Sequence, residues 1–146
     1  AKSYLATLPF VEGNKIAVMG SGTGGWATLY SVNKGTSFQE RGNPFRAAVA
    51  LYPYCHLPEF ESDAPVLILI GEFSGMWPAE KCLDIANTKG AASDVTLKIY
   101  PGTYMHFDFE EGEKIWHVED RQVKYNPEAA TDAIARVKNF LSKNLK

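Results

Sequence analysis

The distribution of apolar residues along the chain predicts four short β-strands. Three runs have nearly continuous apolar centres, namely Lys15–Gly20, Phe45–Pro53 and Pro65–Glu72. Such continuity is typical of strands that are covered on both faces in a parallel sheet. In the fourth run, Val95–Tyr100, apolar and polar residues alternate. This pattern predicts an edge strand with one face in water.

Helical signals lie between these strands. Thr23–Lys34 follows the first strand, and another helix is expected to start near Pro78 and to stop near Gly90. The last helix is predicted most clearly, because Asn126 can cap it and Pro127 suits its first turn. Five apolar residues then recur at helical spacing and predict one apolar stripe: Ala130, Ile134, Val137, Leu141 and Leu145.

The alternation of strands and helices predicts an α/β fold, with a mostly parallel four-stranded sheet and helices on both faces. The first segment, Ala1–Leu8, is expected to be the end of a helix. No repeat or linker divides the 146 residues, so we interpret residues 1–146 as one domain. Ligands in such folds bind at the carboxyl ends of the strands, here the loops 20–25, 73–78 and 101–125.

Charge and composition exclude several classes of protein. The formal net charge is −2, which gives no basic surface for nucleic acid. No apolar run approaches the length that crosses a membrane. The two cysteines are too few to indicate a disulfide framework. We expect Cys82 to be an inert buried thiol and the compartment to be reducing, hence the cytoplasm. No cofactor is expected.

The glycine-rich turn Gly20–Gly25 has three interpretations. Its spacing, G-x-G-x-x-G, can place a phosphate at a helix N-terminus. A complete dinucleotide site also needs a carboxylate after the next strand, which ends Tyr52-Pro53-Tyr54, while Glu40 lies in a polar loop. The turn also fits a nucleophile elbow between strand and helix, with Gly22 at the nucleophile position. The third interpretation is a tight turn that binds no ligand.

Several segments resemble the dienelactone hydrolase family of the α/β-hydrolase fold. They are YLATLPFVEGNKIAVMG, the Gly-Gly after the elbow, FRAAVALYPYC, PVLILIGE, PAEKC, VTLKIYPGTY and KYNPEAATDAIARVKNFL. The resemblance covers nearly the whole chain but only about the carboxyl-terminal half of a family member. It implies that the family's amino-terminal half, which supplies further strands and part of the oxyanion hole, is missing here.

The resemblance also implies a chemistry of ester or lactone hydrolysis. In the family a Ser or Cys on the elbow attacks the carbonyl, a His takes its proton and an Asp orients the His. The nucleophile position falls on Gly22, the acid position on Ser74 or Gly75, and the base position on Met105, with His106 one residue late. The resemblance therefore implies a hydrolase-fold domain that is catalytically silent.

Aromatic and sulfur-containing residues crowd the same loops and suggest an alternative function. Without a nucleophile and an imidazole the cleft would be more apolar and could bind a small hydrophobic ligand without covalent chemistry. The residues expected to line it are Ser21, Gly22, Thr23, Trp26, Phe73, Ser74, Met76, Trp77, Tyr104, Met105 and His106. Packing under long loops is the simpler role for most of these side chains.

The loop after the fourth strand is rich in possible metal ligands. They are His106, Asp108, Glu110, Glu111, Glu113, His117, Glu119 and Asp120. Zn²⁺ accepts such ligands, but no helical His spacing or Cys cluster accompanies them. We therefore expect a solvated acidic loop and no metal site.

The first predicted strand raises a question of assembly. Lys15–Gly20 has the apolar pattern of a buried strand, yet nothing in the sequence is expected to pair with its outer edge. We expect either a homodimer or a complex with a separate amino-terminal chain. The interface would lie around Ile16 and Val18.

Overall fold

A computed structural model describes residues 2–34, 36, 44–57, 59–75, 77–87, 94–110, 116–118 and 121–146. In chain order the elements are α1 (Lys2–Leu5), β1 (Ala17–Ser21), α2 (Thr23–Val32), β2 (Ala47–Leu51), β3 (Val66–Phe73), α3 (Ala79–Ala86), β4 (Val95–Tyr104), β5 (Trp116–Val118), β6 (Arg121–Val123) and α4 (Pro127–Asn144).

The sheet confirms the α/β fold. Strands β1 to β4 are all parallel and lie side by side in chain order. Every residue of β2 is buried, as expected for a central strand that is covered on both faces. Helix α2 packs on β1 and β2, α3 on β3 and β4, and α4 on β2 and β3. The predicted strand at Val95–Tyr100 is an edge strand of this sheet and continues to Tyr104.

The register of the strands brings their carboxyl ends together. Ser21 at the end of β1 pairs with Leu51 at the end of β2. Phe73 at the end of β3 pairs with Tyr104 at the end of β4, after a register shift beyond Gly71. A Cβ on Gly71 would lie 2.4 Å from the Thr103 carbonyl oxygen. The close approach of β4 to β3 therefore requires glycine there.

The last helix begins as predicted. The Asn126 side chain accepts a hydrogen bond from the Ala129 amide, and Pro127 is in the first turn. The predicted apolar stripe is partly wrong, because Ile134 is 54% exposed. The buried positions of α4 are occupied by small residues, namely Ala129, Ala130 and Ala133. Alanines let the helix approach the sheet closely, and Val137 and Leu141 pack on the core beyond them.

Other differences from the expectations are local. The helix expected over Ala1–Leu8 is only the four-residue α1. Within the loop that is expected to be acidic and solvated, strands β5 and β6 pair in an antiparallel arrangement. Gly90, expected to end a helix, lies outside the described residues, as does Glu40. No helix in the described part of the chain is both long and apolar enough to cross a bilayer.

The two cysteines are joined, which corrects the expectation of a free thiol. A disulfide links Cys55, in the loop after β2, to Cys82 in α3. Both residues are buried, so the burial of Cys82 was predicted correctly and its chemistry was not. Disulfides persist mainly in oxidising compartments. The cysteines therefore give no support to a cytoplasmic location.

Candidate functional site

The turn between β1 and α2 has the geometry of an elbow. Gly22 has φ 56° and ψ −123°, a backbone conformation that residues with a Cβ rarely adopt. Its amide donates to the Leu51 carbonyl oxygen at 3.0 Å, and its own carbonyl accepts from the Trp26 amide at 3.1 Å. These bonds fix Gly22 between the end of β2 and the first turn of α2. This is where a nucleophile elbow presents its reactive side chain.

Two neighbouring glycines are explained by packing alone. A Cβ on Gly20 would lie 2.3 Å from the Gly24 carbonyl oxygen, and one on Gly25 would lie 3.0 Å from the Leu51 carbonyl oxygen. Both positions need glycine so that backbone can approach backbone. The G-x-G-x-x-G spacing is thus accounted for without a phosphate.

The space above Gly22 is bounded by apolar atoms. A Cβ on Gly22 would lie 3.5 Å from the Trp77 ring and 3.6 Å from the Met105 methyl group. These are ordinary van der Waals contacts, so the position has room for a Cβ. Met105 is 2% exposed. The structure therefore brings the predicted nucleophile and base positions together, and neither carries a group that can attack a carbonyl or accept a proton.

The predicted acid position carries a hydroxyl that is turned towards the backbone. Ser74 follows β3 and is 1% exposed, and its Oγ donates to the Gly71 carbonyl oxygen at 2.8 Å. Gly75, the alternative acid position, has φ 66°. Ser74 lies at the same end of the sheet as Gly22 and Met105, because β1, β3 and β4 are parallel. It offers no negative charge to orient a base.

Tyr52, which lies outside the predicted site residues, packs against His106 and Phe107 near the turn. Tyr52 directly follows β2 with φ 37° and is 4% exposed, and its phenol lies near enough to Ser21 and Asp108 for both side chains to affect its pKa. Burial, and next the negative charge of Asp108, raise the pKa of the Tyr52 phenol, while the Ser21 hydroxyl acts in the opposite direction. The phenol therefore stays protonated. The only sequence signal was a tyrosine at the end of a strand beside the turn.

His106 belongs to this polar group. Its φ of 55° lies in the left-handed region, which favours glycine. Its ring centroid lies 4.8 Å from that of Tyr52. The imidazole thus packs on Tyr52, one residue beyond the base position at Met105.

The other predicted pocket residues separate into smaller groups. Trp26 stacks on Tyr30 within α2 at 5.4 Å between ring centroids, and Thr23 is exposed at the start of that helix. Phe73 and Tyr104 contact each other at 5.4 Å, and Trp77 contacts Tyr54 at 6.2 Å. Met76 lies outside the described residues. Among the described residues, Trp77 and Met105 supply the atoms nearest to a Cβ on Gly22.

The acidic loop gives no metal centre in the part of it that the structure describes. Among the described residues, no three His, Cys, Asp or Glu side chains lie close enough to hold an ion. Four of the candidate ligands fall outside the described residues, namely Glu111, Glu113, Glu119 and Asp120, as does the side chain of His117.

Comparisons with known proteins agree with this architecture. A sequence model of the dienelactone hydrolase family matches residues 1–145. An α/β hydrolase from a Medee basin deep-sea metagenome library superposes with a TM-score of 0.74 at 17% identity, over 99% of this chain and 62% of that one. A putative dienelactone hydrolase from Klebsiella pneumoniae gives 0.71 at 18% identity, over 97% and 57%.

A dienelactone hydrolase-like promiscuous phosphotriesterase from metagenomic libraries also gives a TM-score of 0.71, at 18% identity, over 98% of this chain and 58% of that one. At these identities the structures show the fold alone. The chain spans about 60% of the length of these three structures. No curated protein matches the chain.

Proposed function

The chain belongs to the dienelactone hydrolase family, and from that premise we propose that it is a catalytically silent hydrolase-fold domain. One observation carries the proposal. The elbow presents Gly22, and the Trp77 ring and the Met105 methyl group occupy the positions that face it. The backbone turn that would carry a nucleophile is present, but the residue at that position has no side chain.

The chemistry of acyl transfer supports this proposal. Covalent ester hydrolysis needs a nucleophile, a base within hydrogen-bond reach and a group that orients the base. The Met105 thioether accepts no proton near neutral pH, and the Ser74 hydroxyl already donates to the Gly71 carbonyl. Enzymes that have lost their triad retain at most the catalysis supplied by binding and oxyanion donors.

Trp77 adds a steric obstacle. A carbonyl carbon must come within about 3–3.5 Å of the attacking atom. The Trp77 ring lies 3.5 Å from where a Cβ on Gly22 would be. The ring thus occupies space that a substrate would need, even if a hydroxyl were added at Gly22.

Reconstruction of the site tests the proposal. The wild-type chain should hydrolyse 4-nitrophenyl acetate no faster than buffer. The variant Gly22→Ser/Ser74→Asp/Met105→His/Trp77→Ala supplies the three groups and clears the ring. The matched control carries Gly24→Ser in place of Gly22→Ser, because a Cβ on Gly24 meets no atom within 4 Å.

We expect the reconstructed variant to exceed its control by tenfold or more. General acid–base catalysis contributes about 10²- to 10⁴-fold, and imperfect oxyanion stabilisation removes part of this gain. Wild-type turnover above the buffer rate would contradict catalytic silence. Equal rates for the variant and its control would contradict the assignment of Gly22 as the nucleophile position.

A second candidate function is the binding of a small apolar ligand without catalysis. It is supported by large aromatic side chains that remain exposed near the carboxyl ends of the strands, namely Tyr54 at 37%, Phe73 at 49% and Phe109 at 56%. Under this proposal benzoate raises the melting temperature and ATP does not. A shift with ATP alone would instead favour phosphate binding at the Gly20–Gly25 turn.

A further inference from the structure

The disulfide joins two segments that meet beside the space above Gly22. It links Cys55, in the loop after β2, to Cys82 of α3 across 27 residues of sequence. Both cysteines belong to the buried core. The loop after β2 begins against the elbow, because a Cβ on Gly25 would lie 3.1 Å from the Pro53 Cβ. The disulfide therefore attaches α3 to a segment that packs on the elbow.

The side chains that cover Gly22 come from positions close to this bond. Trp77 directly precedes Pro78, the N-cap residue of α3, and its ring lies 3.5 Å from where a Cβ on Gly22 would be. Tyr54, the chain neighbour of Cys55, contacts the Trp77 ring with 6.2 Å between the ring centroids. The loop and the start of α3 thus meet through these two rings as well as through the disulfide.

Cys82 lies at the centre of the buried face of α3. This helix has eight residues, of which Ala79, Cys82 and Ile85 are buried. Their spacing of three places them on one face. So short a helix is stable mainly through its packing on the rest of the protein. The disulfide is thus the central attachment of the helix whose start positions Trp77.

From these contacts we propose that the Cys55–Cys82 disulfide is an oxidation-dependent latch that holds Trp77 over Gly22. When the bond forms, the two thiols give up two protons and two electrons to an external disulfide, which becomes two thiols. In the reduced chain the start of α3 moves away from the elbow, and the space above Gly22 opens to solvent. The latch acts on Trp77 and is independent of the proposed catalytic silence.

Collisional quenching of fluorescence by acrylamide measures how well Trp77 is covered. The chain has three tryptophans, and Trp26→Phe/Trp116→Phe leaves Trp77 as the reporter. Adding Cys55→Ala/Cys82→Ala removes the latch. The bimolecular quenching constant, which is the Stern–Volmer slope divided by the fluorescence lifetime, should then rise at least twofold. Division by the lifetime corrects for quenching of Trp77 by the disulfide itself.

Trp26 provides the matched control, because the disulfide does not join α2 to another segment. Trp26 is half-buried and stacks on Tyr30 within that helix at 5.4 Å between ring centroids. In the chain with Trp77→Phe/Trp116→Phe, the same two cysteine substitutions should leave the quenching constant of Trp26 unchanged. Circular dichroism should show that both cysteine-free chains are folded.

Oxidation should reverse the opening. The Trp77 reporter chain with its cysteines, refolded in dithiothreitol, should have the raised quenching constant, and oxidised glutathione should return it to the value of the disulfide-bonded chain. A Trp77 constant that is the same with and without the bond would overturn the latch. An equal rise for Trp26, or loss of the fold, would overturn it as well, because the bond would then support the whole domain.

Discussion

Within the turn that joins β1 to α2, Gly20 and Gly22 lie two residues apart and differ in their surroundings. A Cβ on Gly20 would overlap the backbone of Gly24, at 2.3 Å from its carbonyl oxygen. A Cβ on Gly22 would make ordinary contacts with Trp77 and Met105, at 3.5 and 3.6 Å. Glycine at position 20 is therefore required by packing, whereas at position 22 the space for a side chain remains.

Packing of the fold therefore explains glycine at position 20 but does not explain it at position 22. Gly20 in β1 and Gly71 in β3 let backbones approach each other, so packing requires glycine at both positions. Gly22, Ser74 and Met105 occupy the predicted triad positions, and among the described residues no backbone contact of this kind explains glycine at position 22. Under the proposed catalytic silence, the chain keeps the backbone of an elbow without the reactive groups.

Alanine substitutions along the turn should reproduce this order of effects. Gly20→Ala should lower the free energy of unfolding by about 3 kcal/mol or more, because backbone atoms must move. Gly22→Ala should lower it by about 1–2 kcal/mol, the cost of a Cβ at positive φ. Gly24→Ala should raise it by about 0.5 kcal/mol, since the position is helical and open. Urea unfolding measures all three.

A different order of these three changes in the free energy of unfolding would contradict the distinction between Gly20 and Gly22. A loss for Gly22→Ala as large as that for Gly20→Ala would mean that packing also requires glycine at the nucleophile position. Glycine at position 22 would then be explained by packing and would give no support to the proposed catalytic silence.

The parts of the fold that depend on local sequence were predictable. Continuous apolar runs identified the strands β2 and β3, and Asn126-Pro127 identified the start of α4. The orientation of α4 was less predictable, because Ile134 fits the helical stripe but the helix packs through its alanines. The Cys55–Cys82 bond was missed because a spacing of 27 residues gives no sign that the loop and helix meet.

From the sequence it was possible to predict that Gly22 and Met105 lie near each other, but not which side chains fill the space around them. Strand–helix alternation and the family resemblance were enough to assign Gly22 and Met105 to the same end of the sheet. The side chains that fill the space depend on tertiary contacts. Trp77 reaches Gly22 from the loop before α3, and Tyr52, directly after β2, lies near both Ser21 and Asp108. No spacing in the sequence indicates either contact.

Intact mass after incubation with a fluorophosphonate tests the central claim most directly, because this reagent phosphonylates activated serines. Neither candidate hydroxyl near the site is activated: Ser74 donates to the Gly71 carbonyl oxygen, and Ser21 interacts with the Tyr52 phenol, whose raised pKa keeps it protonated. If the domain is catalytically silent, the mass of the wild-type chain is unchanged. A stoichiometric adduct on any residue of the chain would contradict it and would show that a working nucleophile lies elsewhere.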